Sequence, residues 1–238
     1  EGKKLKRYGH LATGNYNPRT ARLYTDLSYF TADDVLTGDM QRVFVHLASQ
    51  SEIPRLSRML MAPYTLQDTM LQRIAQAGRA AAAGKGGRIV AKMNALTDEA
   101  LILALLEAGQ KGARIDLIVR GACMLPAQLP PNIRVRSIIG RFLEHSRVFY
   151  FRVGDAERLW LSSADWMNRN MLRRVETAWQ VIDPALRQRV IDECLTAYLH
   201  DERDAWLMED GGRYRSVVAP GQAPGPGAQA ALMARYRS

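Results

Sequence analysis

Apolar and polar positions change period several times along this chain, and each change marks an element. Residues 5–12 (LKRYGHLA) alternate weakly, as a strand does, and run into the turn-rich TGNYNP. Residues 39–48 carry a helical pattern, and 57–62 (SRMLMA) form a short apolar run closed by Pro63, which predicts a strand. A helix is predicted over 65–83, ending in an alanine run before Gly84, Gly86 and Gly87. IVAKM at 89–93 reads as a strand, and Thr97-Asp98-Glu99 as the cap and acidic first turn of a helix at 98–109. IDLIV at 115–119, apolar but for Asp116, lies between Arg114 and Arg120 and reads as a parallel strand buried on both faces.

After a loop at 121–131 with three prolines, strands are predicted at 134–139, 146–151 and 158–162, the last two joined as a hairpin by Val153-Gly154-Asp155. Residues 175–182 add another strand. Asp183-Pro184 opens a helix reaching about residue 199, with proline in its first turn. The Gly/Pro-rich stretch 211–228 reads as a mobile linker, and the final residues as a short helix. Strand, helix and strand again give a layered α/β fold.

Composition narrows the class. The chain has 238 residues, of which 47% are hydrophobic, ample for one large core or two small ones. No stretch approaches the ~20 apolar residues of a membrane helix, and no secretory pattern opens the chain. The first residue is Glu1 rather than Met, so the chain is expected to begin inside a longer product. Two cysteines, Cys123 and Cys194, are too few for a disulfide framework; with no secretory signal they suggest a reducing cytoplasm. The net charge of +9 is uneven. Lys3, Lys4, Lys6, Arg7, Arg19 and Arg22 crowd the first 22 residues against Glu1, and Arg134, Arg136, Arg141, Arg147 and Arg152 crowd 133–153 against Glu144. Arginine suits phosphate oxygens, but basicity alone fits nucleic acid, anionic lipid or polyphosphate, or a solvated face with no ligand.

Chemistry enters with an internal repeat. Ala12-Thr13-Gly14-Asn15-Tyr16-Asn17 is followed by Asp26, and Ser162-Ser163-Ala164-Asp165-Trp166-Met167 by Glu176. Each copy has a hydroxyl, a spacer and a short polar residue, and the acid lies eleven positions after that residue in both (Asn15 to Asp26, Asp165 to Glu176). Each hydroxyl follows a strand-like stretch. In addition, His145-Ser146-Arg147 lies upstream of Ser163.

This pattern resembles the phospholipase D superfamily, in which each of two halves supplies His-x-Lys, then Gly-Ser-x-Asn and an acid, so that two imidazoles face one phosphate. Here Arg147 stands for the lysine and Asp165 for the asparagine. HLATGNYNPRTARLYTD (10–26), IVAKMNAL (89–96), IDLIVRGACML (115–125), NIRVRSIIGRFLEHSRVFYF (132–151) and LWLSSADWMNRNMLRRVE (159–176) further resemble, in order, the bacterial polyphosphate kinase family. The resemblance runs from about residue 5 to about residue 210. It implies a phospholipase D-like α/β fold, mixed sheets flanked by helices, with a first catalytic domain truncated at its N-terminus over 1–52, a second over 53–210, and a linker and tail over 211–238.

The resemblance also implies roles. The transfer of the ATP terminal phosphate to inorganic polyphosphate would pass through a phosphohistidine upstream of this chain, leaving the isolated fragment able to bind but not to turn over. His145 matches the second catalytic histidine, and His10 a supporting one, with a structural role for His10 kept open. Glu144, beside His145, is the expected orienting carboxylate for that ring. Tyr24, Arg120 and His145 match ATP-binding positions, with Tyr24 stacking on adenine. Thr13, Asn15, Asn17, Arg147, Ser163, Asp165 and Asn168 form the phosphate-positioning set, and Asp26 and Glu176 orient the imidazoles. Arg141, Arg169, Arg173 and Arg174 are candidates for a polyphosphate channel, or a solvated cluster. His46 and His200 are expected to be structural. Expected partners are ATP/ADP and polyphosphate, with Mg2+ accompanying the nucleotide and no ligand for it in this chain; neither nucleic acid nor a transmembrane segment is expected. Oligomerisation when full length and peripheral association with the inner membrane of a cytoplasmic protein are properties of the family, not readings of these residues. Two rival readings stand beside this one: a phospholipase D-like phosphodiesterase or nuclease, and a non-catalytic polyanion-binding module.

Overall fold

A computed structural model of the chain describes residues 5–50, 52 and 55–237; Glu1, Lys3 and Lys4 of the N-terminal run, and residue 53 where a second region was expected to start, lie outside the described residues. In chain order the elements are β1 (Gly9–Ala12), β2 (Tyr24–Thr25), β3 (Ser28–Thr31), α1 (Asp34–Ser49), β4 (Met59–Ala62), α2 (Leu66–Ala82), β5 (Gly87–Met93), α3 (Glu99–Gln110), β6 (Arg114–Val119) and β7 (Ile133–Ile138). There follow β8 (Leu143–Glu144), β9 (Arg147–Val153), β10 (Ala156–Ser162), α4 (Asn168–Leu172), β11 (Glu176–Gln180) and α5 (Pro184–Val190). A π-helical stretch, Ile191–Thr196, leads into α6 (Ala197–Leu199), then β12 (Ala205–Met208), β13 (Tyr214–Ser216) and α7 (Ala228–Arg235).

A nine-stranded mixed sheet runs β13-β12-β7-β6-β5-β9-β10-β11-β4. The pairs β5/β6 and β6/β7 are parallel, and the rest antiparallel. The expected mixed-sheet α/β layering is therefore present. Alternation along β5 sorts its side chains: Ile89, Ala91 and Met93 join a core with α2 and α3, while Val90 joins a second core with α1, α7 and the segment 190–199. Lys92 shares that second face and is buried there with only 2% exposure. A charged group in an apolar layer needs a partner.

Local chemistry accounts for the element ends. Asp33 caps α1 by accepting from Val35 and Leu36 N–H at 3.1 and 2.8 Å, which starts that helix earlier than the expected residue 39. Asp98 caps α3 through Leu101 N–H at 3.0 Å, as expected. Asp183 caps α5 at 2.8 Å from Leu186 N–H, with Pro184 next. The expected hairpin joins β9 to β10 around Gly154, whose φ of 58° lies in the left-handed region that favours glycine.

The stretch 211–228, expected to be a mobile linker, instead contributes β13 and a set of backbone bonds. Gly211 N–H donates to Ala127 O at 3.1 Å and Gly225 N–H to Glu202 O at 3.2 Å, while Pro226 O accepts from Glu202 N–H at 3.0 Å. Tertiary pairing to β12 and the preceding loop overrides a composition that by itself favours no element. The helix expected to run to residue 199 is interrupted by the π stretch, whose Cys194 and Leu195 pack in the second core.

Candidate active site

The repeat seen in the sequence is also a repeat in three dimensions. β1 ends at Ala12, and Thr13 follows; β10 ends at Ser162, and Ser163 follows. Thr13 Oγ1 donates to Asp26 Oδ1 at 2.8 Å and accepts from Leu27 N–H at 3.0 Å. Ser163 Oγ donates to Glu176 Oε2 at 2.5 Å and accepts from Thr177 N–H at 3.1 Å. The backbone repeats as well: Thr13 N–H donates to Leu27 O and Ser163 N–H to Thr177 O, both at 3.0 Å. Each hydroxyl thus ties its acid to the returning antiparallel chain, at Leu27 just before β3 in one copy and at Thr177, the second residue of β11, in the other. A Cβ at Gly14 would stand 2.0 Å from Asp26 Oδ2, so this position admits no side chain while Asp26 stays put.

The two copies meet across the site. Asp26, from the first copy, accepts from Nδ1 of His145 at 2.8 Å. The imidazole is 12% exposed and therefore reachable from solvent. Its tautomer is inferred from that bond: Nδ1–H donated to Asp26 makes Nε2 the accepting nitrogen of the neutral ring. Arg147 stitches the halves together. It forms a bidentate pair with Asp165 (3.2 Å from Nε and 2.9 Å from Nη2) and donates from Nη1 to Thr13 O at 2.9 Å. The same Nη1 lies 3.2 Å from His145 Nε2. Asp165 also accepts from Asn94 N–H at 2.7 Å.

Glu144 does not orient His145. Neighbouring residues of an extended strand face opposite ways, and the Glu144 carboxylate turns into the core beneath the site. There Lys92 Nζ donates to Glu144 Oε2 at 2.6 Å and to Ser146 Oγ at 3.0 Å, and lies 3.9 Å from the centre of the Tyr198 ring. Thr25 Oγ1 and Gln229 Nε2 add bonds of 2.8 and 2.5 Å to the same carboxylate. Burial would push the Glu144 carboxyl up; the charge and hydrogen bond of Lys92, with those of Gln229 and Thr25, outweigh it and hold the group below its usual range. Burial and the charge of Glu144 push the Tyr198 phenol far up, so it stays neutral.

Tyr24 and Arg120 line one cleft. The Tyr24 ring centre is 4.7 Å from that of His145, and β2 pairs in parallel with β8, registering Tyr24 with Leu143. Arg120, at the carboxyl end of β6, donates from Nε to Asn94 Oδ1 at 3.2 Å. The two line a cleft of about 500 Å³ whose far wall is Ile138 to Glu144. A second cavity of about 280 Å³ has His10, Gly14 and Tyr16 from the first copy on one side and Ser163 and Thr177 from the second on the other. His10 stacks on Phe30 with ring centres 4.3 Å apart, and its Nε2 is buried without a hydrogen-bond partner among the described residues.

Other candidates lie further out. Asn15 is exposed, and Asn17 Oδ1 accepts from Arg19 N–H at 2.9 Å, just ahead of a one-turn 3-10 helix over Thr20–Arg22. Asn168 is exposed at the start of α4, whereas Asn170 donates to Glu176 Oε1 at 2.6 Å. Arg169, Arg173 and Arg174 are exposed around α4, and Arg141 lies exposed on the cleft wall, 5.7 Å from the Phe142 ring centre. Lys92, Asn94, Asn170 and Ser146 were not singled out beforehand; the first two sit within IVAKMNAL, where a lysine and an asparagine closing a buried strand were the available signal. Among the described residues, no group of three or more His, Cys, Asp or Glu side chains could hold a metal ion, and no helix is long and apolar enough to cross a membrane.

Comparison with known proteins agrees with this geometry. The profile of "Polyphosphate kinase C-terminal domain 2" matches residues 59–226, and that of "Polyphosphate kinase C-terminal domain 1" residues 1–53. The polyphosphate kinase of Paraburkholderia phytofirmans is 51% identical over 214 residues, 89% of this chain and 31% of that protein; that of Burkholderia vietnamiensis is 50% identical over the same shares. The crystal structure of the polyphosphate kinase from Porphyromonas gingivalis superposes with a TM-score of 0.90 at 37% identity, covering 99% of this chain and 36% of that one. The chain thus spans about a third of the length of these relatives. Profile matches running along most of the sequence show that the chain belongs to the polyphosphate kinase C-terminal domain family.

Proposed function

We propose that this chain is the nucleotide- and polyphosphate-binding part of a phosphotransferase that moves the terminal phosphate of ATP to inorganic polyphosphate, reversibly, through a phosphohistidine that is not among these 238 residues. The observation that carries the reading is the bond from His145 to Asp26, made across the two copies beside Tyr24, whose ring centre lies 4.7 Å from that of His145. In the first step the bond from the terminal phosphorus to the ADP oxygen breaks as a P–N bond forms. In the second the P–N bond breaks and the chain end of polyphosphate takes the phosphoryl group.

Phosphoryl transfer depends on placement and charge neutralisation. Arg120 supplies a guanidinium for phosphate oxygens, and Tyr24 an aromatic face for the adenine. Asp26 fixes Nδ1 of His145 as a donor, so Nε2 is the nitrogen that holds or releases a proton at the departing oxygen. By the same internal symmetry Glu176, held by Ser163 and Asn170, orients the phosphorylated imidazole. The exposed Arg141, Arg169, Arg173 and Arg174 guide the polymer. Mg2+ enters with the nucleotide, its protein ligands lying outside these residues.

The pairing of Arg147 with Asp165 favours this reading over a phosphodiesterase. The two departures from the His-x-Lys and Ser-x-Asn pattern are partners, so neither is free to grip a diester as a lysine and an asparagine would.

Calorimetric titration of the 238-residue chain with ATP and with polyphosphate tests the proposal. Both should bind, Tyr24→Ala and Arg120→Ala should weaken ATP at least tenfold, and no polymer should form. In the longer protein, His145→Ala should lower kcat far more than it raises KM for ATP. Near-normal turnover of that variant removes His145 from the mechanism, and hydrolysis of a phosphodiester would favour the rival enzyme class.

A further inference from the structure

The cleft wall from Ile138 to Glu144 is a loop carrying only the two-residue strand β8, and such a segment does not hold its shape alone. Leu143 N–H donates to Leu23 O at 2.8 Å and Ile139 N–H to Asp204 O at 2.9 Å, and the stretch between them is restrained by α7. Gln229, in the first turn of α7, is 4% exposed and spends its amide on this loop. Its Oε1 accepts from Phe142 N–H at 2.9 Å, and its Nε2 donates to Phe142 O at 2.9 Å and to Glu144 Oε1 at 2.5 Å. One side chain thereby imitates a strand neighbour, satisfying both backbone groups of Phe142 and an oxygen of the carboxylate beside His145. Gly140 makes room for it: a Cβ there would stand 2.6 Å from Gln229 Oε1.

α7 is itself anchored. Ala228 N–H donates to Asp201 Oδ2 at 2.6 Å, Ala228 and Leu232 pack in the second core, and Arg235 lies 3.4 Å from Glu193. These anchors fall beyond residue 226, where the matching family profile stops.

We propose that Gln229 is a positioning residue for the Tyr24–Arg120 cleft, so that α7 forms part of the nucleotide-binding apparatus. The inference rests on the cleft being the nucleotide site. Ligand affinity then depends on the helix that holds the wall, although no residue of α7 lines the cleft.

The test uses the 238-residue chain, with ATP as the probe and backbone amide exchange measured without it. Phe142 N–H should be protected in the wild type despite its place on a surface loop. Gln229→Met keeps the side chain's length and loses its bonds; it should speed Phe142 exchange and weaken ATP about tenfold or more. Gln229→Glu sets a second carboxyl against Glu144, and two carboxylates that close share a proton as pH falls. Its deficit relative to wild type should therefore shrink on acidification, which a purely structural defect would not do. Lys111→Ala, which removes only an exposed pair with Glu107 at the end of α3, should leave ATP affinity unchanged. Unprotected Phe142 in the wild type, or wild-type ATP affinity in both Gln229 variants, overturns the inference and leaves the cleft assignment intact. A wild-type chain that binds no ATP while Phe142 is protected overturns the cleft assignment, and the inference with it.

Discussion

Replacing Lys92 by methionine should remove a charge, retain most of the stem's packing, and leave Glu144 buried without its cation. Lys92 and Glu144 are each about 3% exposed and 2.6 Å apart, and breaking such a pair from one side costs about 3–5 kcal/mol. The structure sets a ceiling within that range, because Glu144 can escape by taking a proton. From an unfolded value of about 4.3, protonation at pH 7 costs about 3.7 kcal/mol, at about 1.36 kcal/mol per pH unit. At pH 5 the same escape costs only about 1 kcal/mol. In the wild type the carboxyl is held below its usual value, so its contribution is complete above the unfolded value and is lost only as pH falls through the folded one. In Lys92→Met burial prevails and the folded value rises above the unfolded one. The penalty then grows with pH and fades on acidification. Urea denaturation of both proteins at pH 7 and pH 5 should therefore show a deficit smaller at pH 5, by at most about 2.7 kcal/mol. Adding Glu144→Gln, whose amide can still meet Thr25, should restore much of the stability at pH 7. A deficit of equal size at both pH values, or simple additivity of the two substitutions, would refute the reasoning.

Three further outcomes are expected. Gly14→Ala should displace the Asp26 carboxylate and free Nδ1 of His145, visible as a changed imidazole 15N resonance with an unaltered far-UV circular dichroism spectrum; an unchanged resonance would count against the cradle. Asp39 is fully buried and accepts from the N–H groups of Ser57, Arg58 and Met59, tying the start of β4 to α1, so Asp39→Ala should cost about 2–3 kcal/mol in chemical denaturation. Because those bonds hold its carboxyl below the usual range against burial, that contribution should vanish as pH falls through the lowered value. Burial pushes the Cys194 thiol up to about 11, so at pH 8 an alkylating reagent should label the partly exposed Cys123 first and reach Cys194 only on unfolding; equal labelling rates would contradict the packing around the π stretch.

What could be read from the sequence divides by range. Central strands announced themselves because a strand buried on both faces is mostly apolar, as Ile115, Leu117, Ile118 and Val119 are, while Asp116 among them is buried against Arg88. Thr13 with Asp26, and Ser163 with Glu176, were legible because a duplicated spacing survives in the linear order. β12, β13 and the docked 211–228 were not, since their pairing comes from neighbours rather than from local preference. The partners of Lys92, Asn94 and Gln229 lie 52, 71 and 85 positions away, beyond any periodicity. Glu144 illustrates the limit: adjacency to His145 suggested a contact that strand alternation forbids.

The pairing of β2 with β8 has a consequence for how the protein comes into being. Thr25 and Glu144 stand 119 positions apart, and β4 must wait for β11, registering Ala62 with Glu176. Closing such long loops exacts its entropy before any contact compensates it. On the ribosome, the first hydroxyl-acid pair emerges long before the histidine it serves, and Gln229 emerges last. A nascent chain can therefore hold a nearly finished sheet with no working pocket in it.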